Sequence, residues 1–585
     1  MSDLISTSLS ASRQRREFWL FLLIALIVLG AGIGLRDPWP ADEPRFTLVA
    51  KHMVESGDWL ITHRGSELYS DKPPMFMAMQ AAAYTMIGSW RIAFLLPSLL
   101  AALGTLALVY DLARRLWNHR TALWAGAALL ATFQFVYQAK RAQIDPSVMF
   151  FITLANYGML RHFLLGPDWR AYWLGCFAAG LGVITKGVGV LALLMFLPYL
   201  FARWRDWPAV RWPGVVRNDR AALRWLGGAL AFLAAIALWL VPMLISVSSH
   251  NTPEYHAYLN DILFHQTAGR YAESWDHQQP VWYYIGVIAT SWLPVVFTLP
   301  GTIPRWRERL VAHDARILLP LAWIVLVVLF FTFPVGKRDV YIMPALPLFA
   351  MISAPFLDDL SQRAWLRRIL FGFVLLLGLL FLIGGIAAWS GHWPRANLLV
   401  EQRGLEGGGV ALWGFVTAIG AIALSCALVF RIRRSVIGLA ITFTALWLLW
   451  GFWAYPVLND STSAVGVMHR AGELIGPDAE LGMVAWKEQN LLMADRPATD
   501  FGFVRPWHEQ LADSIRWQEQ APANRWIFIL DEAMGPCIDR DRAVDVGHAN
   551  RREWWLFREE AVMPDCRGGH VPTPSETNVD DPNAG

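Results

Sequence analysis

The residues of this 585-residue chain best suited to chemistry fall in five short stretches of mixed charge. They are Pro40-Ala41-Asp42-Glu43-Pro44-Arg45-Phe46, Tyr69-Ser70-Asp71-Lys72-Pro73-Pro74, Lys140-Arg141-Ala142-Gln143-Ile144-Asp145-Pro146, Phe264-His265-Gln266-Thr267-Ala268-Gly269-Arg270-Tyr271 and Gly336-Lys337-Arg338-Asp339-Val340-Tyr341. Lysine and arginine can neutralise a phosphate, and a carboxylate can orient a sugar hydroxyl or accept its proton. Breaking a sugar–phosphate bond leaves charge on the departing phosphate, so fixed cations there stabilise the transition state more than the ground state. An isolated Asp before Pro is commonly a helix cap or a solvated loop charge, and for Asp145 alone that reading stands beside the chemical one.

The elements that must position these stretches are membrane helices. Apolar residues make up 55% of the chain and charged residues only 17%, against roughly 45–50% apolar residues in soluble domains. The net charge of +3 is spread over short clusters, which argues against a nucleic-acid-binding face. The 31 Trp and 14 Tyr suit a protein with much surface at headgroup depth. Arg13, Arg15 and Arg16 precede an apolar run from Phe18 to Leu35, which reads as an uncleaved first helix with its N-terminus in the cytoplasm.

Apolar runs predict about thirteen spans, centred near residues 26, 100, 130, 155, 178, 195, 236, 292, 325, 348, 379, 420 and 445. This threading keeps the arginine clusters at 114–120, 203–220, 305–309, 367–368 and 431–434 inside. All six lysines (Lys51, Lys72, Lys140, Lys186, Lys337 and Lys487) then map to the outer side or to outer helix ends, a placement that also fits a general arginine bias plus chance. The expected organisation is a transmembrane domain over 1–455 with outer loops at 37–87 and 248–280, a small α/β domain over 456–570, periplasmic in a Gram-negative host, and a disordered tail over 571–585. Cys176 and Cys426 lie in apolar spans as packing residues. Cys537 and Cys566 can pair if their segment faces an oxidising compartment.

Taken with Ser56-Gly57-Asp58-Trp59, Thr185-Lys186-Gly187 and Pro280-Val281-Trp282-Tyr283-Tyr284, the five stretches resemble the pattern of bacterial aminoarabinose transferases acting on lipid A. These belong to the GT-C class of membrane glycosyltransferases, which includes the protein O-mannosyltransferases. The resemblance implies a polyprenyl-phosphate sugar donor, an acceptor at the outer face (lipid A, another glycan or a protein) and inversion at the anomeric carbon. It makes Asp42 the main catalytic carboxylate and Asp145 a second acid of the site, with Glu43 grouped beside them. Lys72, Arg270 and Tyr341 resemble residues that hold the lipid phosphate, and Lys337, Arg45 and Arg141 are expected to add to that charge. His265 matches a zinc-binding histidine whose partner in the family is a glutamate, here the shorter Asp71; two ligands fall short of a closed structural zinc site, so a hydrogen-bonding role for His265 stands as an equal alternative.

Two competing readings remain at this level. One is a glycosyltransferase of the same fold with a protein or glycan acceptor. The other is a lipid transporter without chemistry, but transporters place ionisable groups near the bilayer midplane, and these spans carry few.

Overall fold

The computed structural model describes residues 11–210, 221–264 and 278–573. Among the described residues seven helices are long and apolar enough to cross a membrane, or nine if two sharply bent helix pairs, at 119–139 and 283–311, each count as one span. The expected number is about thirteen. The difference has a physical origin. Helix α1 (Ala11–Gly30) carries Arg13, Arg15, Arg16 and Glu17 in its first turns, and the helix Ile144–Leu164 carries Asp145, Asn156, Arg161 and His162. That second helix is packed in the protein interior, where polar side chains meet protein instead of lipid.

Helices cross closely where glycine removes the side chain. At Gly158 an added Cβ would lie 2.2 Å from the Ala171 carbonyl oxygen of the helix Trp169–Lys186, and at Gly420 it would lie 2.1 Å from the Leu382 amide nitrogen of the helix Ala364–Trp389. Small residues at such crossings are how membrane helices gain packing contact without a hydrophobic driving force.

Helix α2 (Asp42–Ser56) is short and amphipathic. It opens on Asp42 and Glu43, where unpaired N–H groups favour negative charge, and ends at Gly57, whose φ of +75° lets its N–H reach the Met53 carbonyl. Phe46, Val49, Ala50 and Met53 recur at helical spacing and are buried in the core of the bundle.

A buried ion pair fixes the start of α2. Arg36, 1% exposed, donates from its two terminal nitrogens to the Glu43 carboxylate at 2.5 and 2.8 Å, and Glu43 is 0% exposed. Glu43 also accepts from the backbone N–H groups of Trp39 and Ala142, while Arg36 donates to the carbonyls of Asp37 and Lys140. The Trp39, Phe94 and Tyr455 rings lie about the guanidinium, with centroids 4.8, 5.1 and 4.8 Å away. Burial alone would push the Glu43 carboxyl up, but Arg36 more than offsets this and holds it below the usual carboxylate range. The chain enters this cluster through Gly32, whose φ is +87° and where an added Cβ would meet the Gly451 backbone at 2.6 Å.

Residues 480–557 form a five-stranded mixed sheet in the order β4-β3-β5-β7-β6. Its strands are β3 (Glu480–Val484), β4 (Ala498–Asp500), β5 (Arg525–Leu530), β6 (Val544–Ala549) and β7 (Arg552–Phe557). The first three run parallel, and β7 pairs antiparallel with both β5 and β6. The sheet has its own apolar core, including Met483, Ile527, Phe528, Trp554 and Leu556, and Cys537 is disulfide-bonded to Cys566 at its edge. Of the tail expected at 571–585, residues 574–585 lie outside the described residues. A hairpin, β1 (His63–Arg64) with β2 (Glu67–Leu68), links α2 to the sheet: Ser66 Oγ donates to Asp500 at 2.6 Å and the Val504 N–H donates to Glu67 at 3.2 Å.

Two substitutions test this framework. Gly32→Ala places a Cβ both at a left-handed φ and against Gly451, and should cost about 1–3 kcal/mol, read as a lowered midpoint of thermal unfolding in detergent. Glu43→Gln leaves a buried guanidinium without its counter-charge and should cost about 3–5 kcal/mol by the same assay. Because the Glu43 carboxyl is held low, its stabilising contribution is present above the ordinary carboxylate pKa and is lost as pH falls through the lower folded value. The wild-type advantage over Glu43→Gln should therefore shrink on acidification.

Candidate active site

Asp42 is the first residue of α2 and, unlike its neighbour Glu43, keeps a fifth of its side chain exposed (19%). Three polar groups surround it. Gln143 donates from Nε2 at 3.3 Å, Arg338 Nη2 lies 3.6 Å away, and Arg45, one turn along the same helix, lies 4.0 Å away. The helix N-terminus adds its own partial positive charge. Asp42 thus sits in a cationic surround with part of its side chain open.

Asp145 holds the equivalent place on the helix Ile144–Leu164, in its first turn. Lys186, the last residue of the helix Trp169–Lys186, donates to it at 2.5 Å. The same ammonium sits 5.2 Å from the centroid of the Tyr341 ring, a cation–π contact. Arg338 lies beside Asp42. Burial would lower its pKa, yet the charges of Asp42, Asp145, Tyr341 and Asp339 raise it. Asp42 with Gln143, Arg338 and Arg45, and Asp145 with Lys186 and Tyr341, form two polar groups.

Other expected site residues take different places. Glu43, grouped with the catalytic acids from its sequence position, is sealed beneath Asp42 with its oxygens occupied by Arg36 and two backbone N–H groups; it positions the helix and meets no open space. Lys337, expected as a phosphate-binding cation, is 3% exposed and donates to the Gln279 and Val335 carbonyls, which ties two loops together. Its neighbour Arg338 faces Asp42 instead. Arg141 donates to the Tyr137 hydroxyl and lies 3.9 Å from Glu43, so it supports the brace more than the open side of Asp42. Arg45 gives its Nε to Glu488 of the sheet domain at 2.8 Å.

Lys72 is half-buried and donates to the Asp71 carbonyl at 2.8 Å. The loop bearing both is tethered by Ser70, which donates to Asp261. His265 and Arg270 lie outside the described residues. Among the described residues no three His, Cys, Asp or Glu side chains gather as a metal site.

Arg338, Lys186 and Gln143 all lie within motifs visible in the sequence, yet their roles were not assigned by it. In Lys337-Arg338 either cation could face the site, and only the extended backbone of Arg338 (φ −122°, ψ 149°) at the start of a 3-10 helix decides between them.

Known proteins resemble this chain in sequence and in fold. Residues 71–216 match the family model described as dolichyl-phosphate-mannose-protein mannosyltransferase. The undecaprenyl phosphate-alpha-4-amino-4-deoxy-L-arabinose arabinosyl transferase of Pseudomonas paraeruginosa is 30% identical over 369 residues, covering 60% of this chain and 61% of the relative. The chain thus spans less than two thirds of that relative's length in the match. The enzyme of the same description from Yersinia enterocolitica is 25% identical over 416 residues, 68% of this chain and 71% of the relative. The crystal structure of ArnT from Cupriavidus metallidurans bound to undecaprenyl phosphate superposes with a TM-score of 0.71 at 20% identity, covering 94% of this chain and 99% of that one. In sequence the chain is similar to these arabinosyl transferases, and its fold is that of the ArnT structure.

Proposed function

We propose that this chain is a membrane glycosyltransferase that moves a sugar from a polyprenyl-phosphate donor to lipid A or a related acceptor, with inversion at the anomeric carbon. The observation that carries this reading is the placement of Asp42, an accessible carboxylate at a helix N-terminus with Arg338 and Arg45 beside it, in a chain with the fold of ArnT. The sugar named for the relatives, 4-amino-4-deoxy-L-arabinose, is the proposed cargo, and undecaprenyl phosphate the proposed carrier.

In the proposed reaction an acceptor oxygen attacks the anomeric carbon from the face opposite the phosphate. The carbon–oxygen bond to the phosphate breaks, and its electron pair leaves on the phosphate oxygen. Arg338 and Lys186, with Lys72, Arg270 and Tyr341 as the residues carried over from the family pattern, would meet that charge as it develops. Asp42 would orient the sugar and, for a hydroxyl acceptor, take its proton as attack proceeds. For a phosphate acceptor, as on lipid A, the nucleophile is already ionised and Asp42 would act through orientation and charge alone. Asp145, bound to Lys186, would set where that ammonium sits. No step is assigned to zinc.

The proposed topology has thirteen crossings, a cytoplasmic N-terminus and a periplasmic sheet domain, divided near residue 455. Support comes from the arginine clusters, all of which fall on one side, and from the Cys537–Cys566 disulfide, which suits an oxidising compartment. A second reading, transfer to a protein hydroxyl, is favoured by the match of residues 71–216 to the mannosyltransferase model.

Two measurements bear on these proposals. With radiolabelled undecaprenyl-phosphate-linked aminoarabinose and lipid A in membranes, Asp42→Asn should lower transfer by about 10²–10⁴-fold while expression and thermal stability hold; wild-type transfer by this variant would remove Asp42 from the mechanism. In intact spheroplasts, a membrane-impermeant maleimide should label Cys537 and Cys566 after reduction and not before. Labelling that requires permeabilised membranes would overturn the topology.

A further inference from the structure

Glu488 belongs to the sheet domain, at the first position of the helix Glu488–Met493, and is far from Asp42 in sequence. Its side chain nevertheless reaches α2. It is 5% exposed, accepts from Arg45 Nε at 2.8 Å, and has Arg64 Nη1 at 3.6 Å. The Arg64 guanidinium is in turn fixed 3.8 Å over the Phe503 ring of the same domain. Arg45 and Asp42 are three residues apart on one helix face, and Nη1 of Arg45 stands 4.0 Å from Asp42. Arg45 is therefore held between two carboxylates, closer to the distant one than to its helix neighbour.

We propose that Glu488 is a positioning residue for the active site: it draws the Arg45 guanidinium away from Asp42, leaving the Asp42 oxygens open to substrate. The inference rests on the reading of Asp42 given above. Without the Glu488 charge, Asp42 is the remaining ion-pair partner of Arg45 among the described residues, and a small rotation shortens the 4.0 Å approach. Asp42 would then be engaged by Arg45 and less available to substrate. The sheet domain thereby contributes a charge to catalysis as well as a structural cover.

Most other groups near Asp42 are held by partners other than Glu488. Arg338 approaches from the loop after residue 336, and the charges of Asp339, Asp145 and Tyr341 act on it. Gln143 approaches from the loop before Ile144, and Glu43 is committed to Arg36. Tyr69, on which the charges of Asp71, Arg45, Arg64 and Asp42 act, lies under the Arg64 guanidinium, which Glu488 also approaches. Arg45 is the cation that Glu488 hydrogen-bonds and that also stands beside Asp42, and the Arg45→Gln background separates its route from the one through Arg64.

The test is the pH dependence of kcat/KM in a double-mutant cycle, with full-length protein in phosphatidylethanolamine/phosphatidylglycerol liposomes, undecaprenyl-phosphate-linked aminoarabinose and lipid A. Glu488→Gln should lower kcat about tenfold near neutral pH, leave the donor KM within about twofold, and move the acid limb of kcat/KM down by about 0.5–1 pH unit. In the Arg45→Gln background the same substitution should move the limb not at all. If Glu488 only glues the domain to α2, activity falls by one factor at every pH and in both backgrounds, and the proposal is overturned. Should Glu488→Gln fail to fold in thermal assays, Glu488→Asp, which keeps the charge but withdraws it by one methylene, carries the same comparison. Asp42→Asn run alongside separates the two levels: near-wild-type activity there refutes the role of Asp42 itself, whereas an inactive Asp42→Asn with no limb shift in Glu488→Gln refutes only the role of Glu488.

Discussion

The ion pair of Arg36 with Glu43 is the constraint on which the rest of the site depends. Two charges removed from water cost several kcal/mol each, and the cost is offset here by the hydrogen bonds both Glu43 oxygens and both terminal nitrogens of Arg36 make. Glu43 takes four hydrogen bonds, two from Arg36 and two from backbone N–H groups, and these come from segments more than a hundred residues apart in sequence. Tyr455 adds a ring face to Arg36 and donates its hydroxyl to the Lys140 carbonyl, which brings the last helices of the bundle into the same cluster. Lys140 donates its ammonium to the carbonyls of Val28, Leu29 and Ala31, closing the C-terminal end of α1. Fixing Glu43 fixes the first turn of α2, and with it the adjacent Asp42.

A division of labour among charged residues follows. Buried members of each motif hold the backbone, and less buried neighbours stand beside Asp42 or Asp145. Glu43 (0% exposed) adjoins Asp42 (19%), Lys337 (3%) adjoins Arg338 (39%), and Lys140 (3%) precedes Asp145 (13%). Adjacent residues on a helix start or extended loop point in different directions, so one motif serves both purposes. The sheet domain joins in through the β1–β2 hairpin and Glu488, which makes the far end of the chain part of the surroundings of Asp42.

Much of this was legible in the sequence. Helices lie at twelve of the thirteen centres expected from hydropathy, and the remaining one, near residue 292, falls at the bend between the helices Tyr283–Ser291 and Leu299–Val311. Asp42 and Asp145 stand out because carboxylates recur with cations beside apolar spans, and the family pattern reinforced both. Which member of each charged pair faces outward was not legible. The sequence reading groups Glu43 with the catalytic acids and favours Lys337 over Arg338, whereas burial is decided by partners such as Arg36 and Gln279 that lie far away along the chain. Glu488 was invisible for the same reason: nothing local connects it to α2. Fewer helices than the expected thirteen spans are apolar enough by length and composition, because interior helices such as Ile144–Leu164 tolerate polar residues that lipid-facing ones do not.

The central claim is that this arrangement transfers a sugar from a lipid-linked donor to lipid A. Mass spectrometry of lipid A from host cells with and without the protein tests it most directly. The account predicts a species heavier by one aminoarabinose residue that appears only when the protein is present. Identical lipid A spectra under conditions where donor is made and the protein is expressed would contradict it.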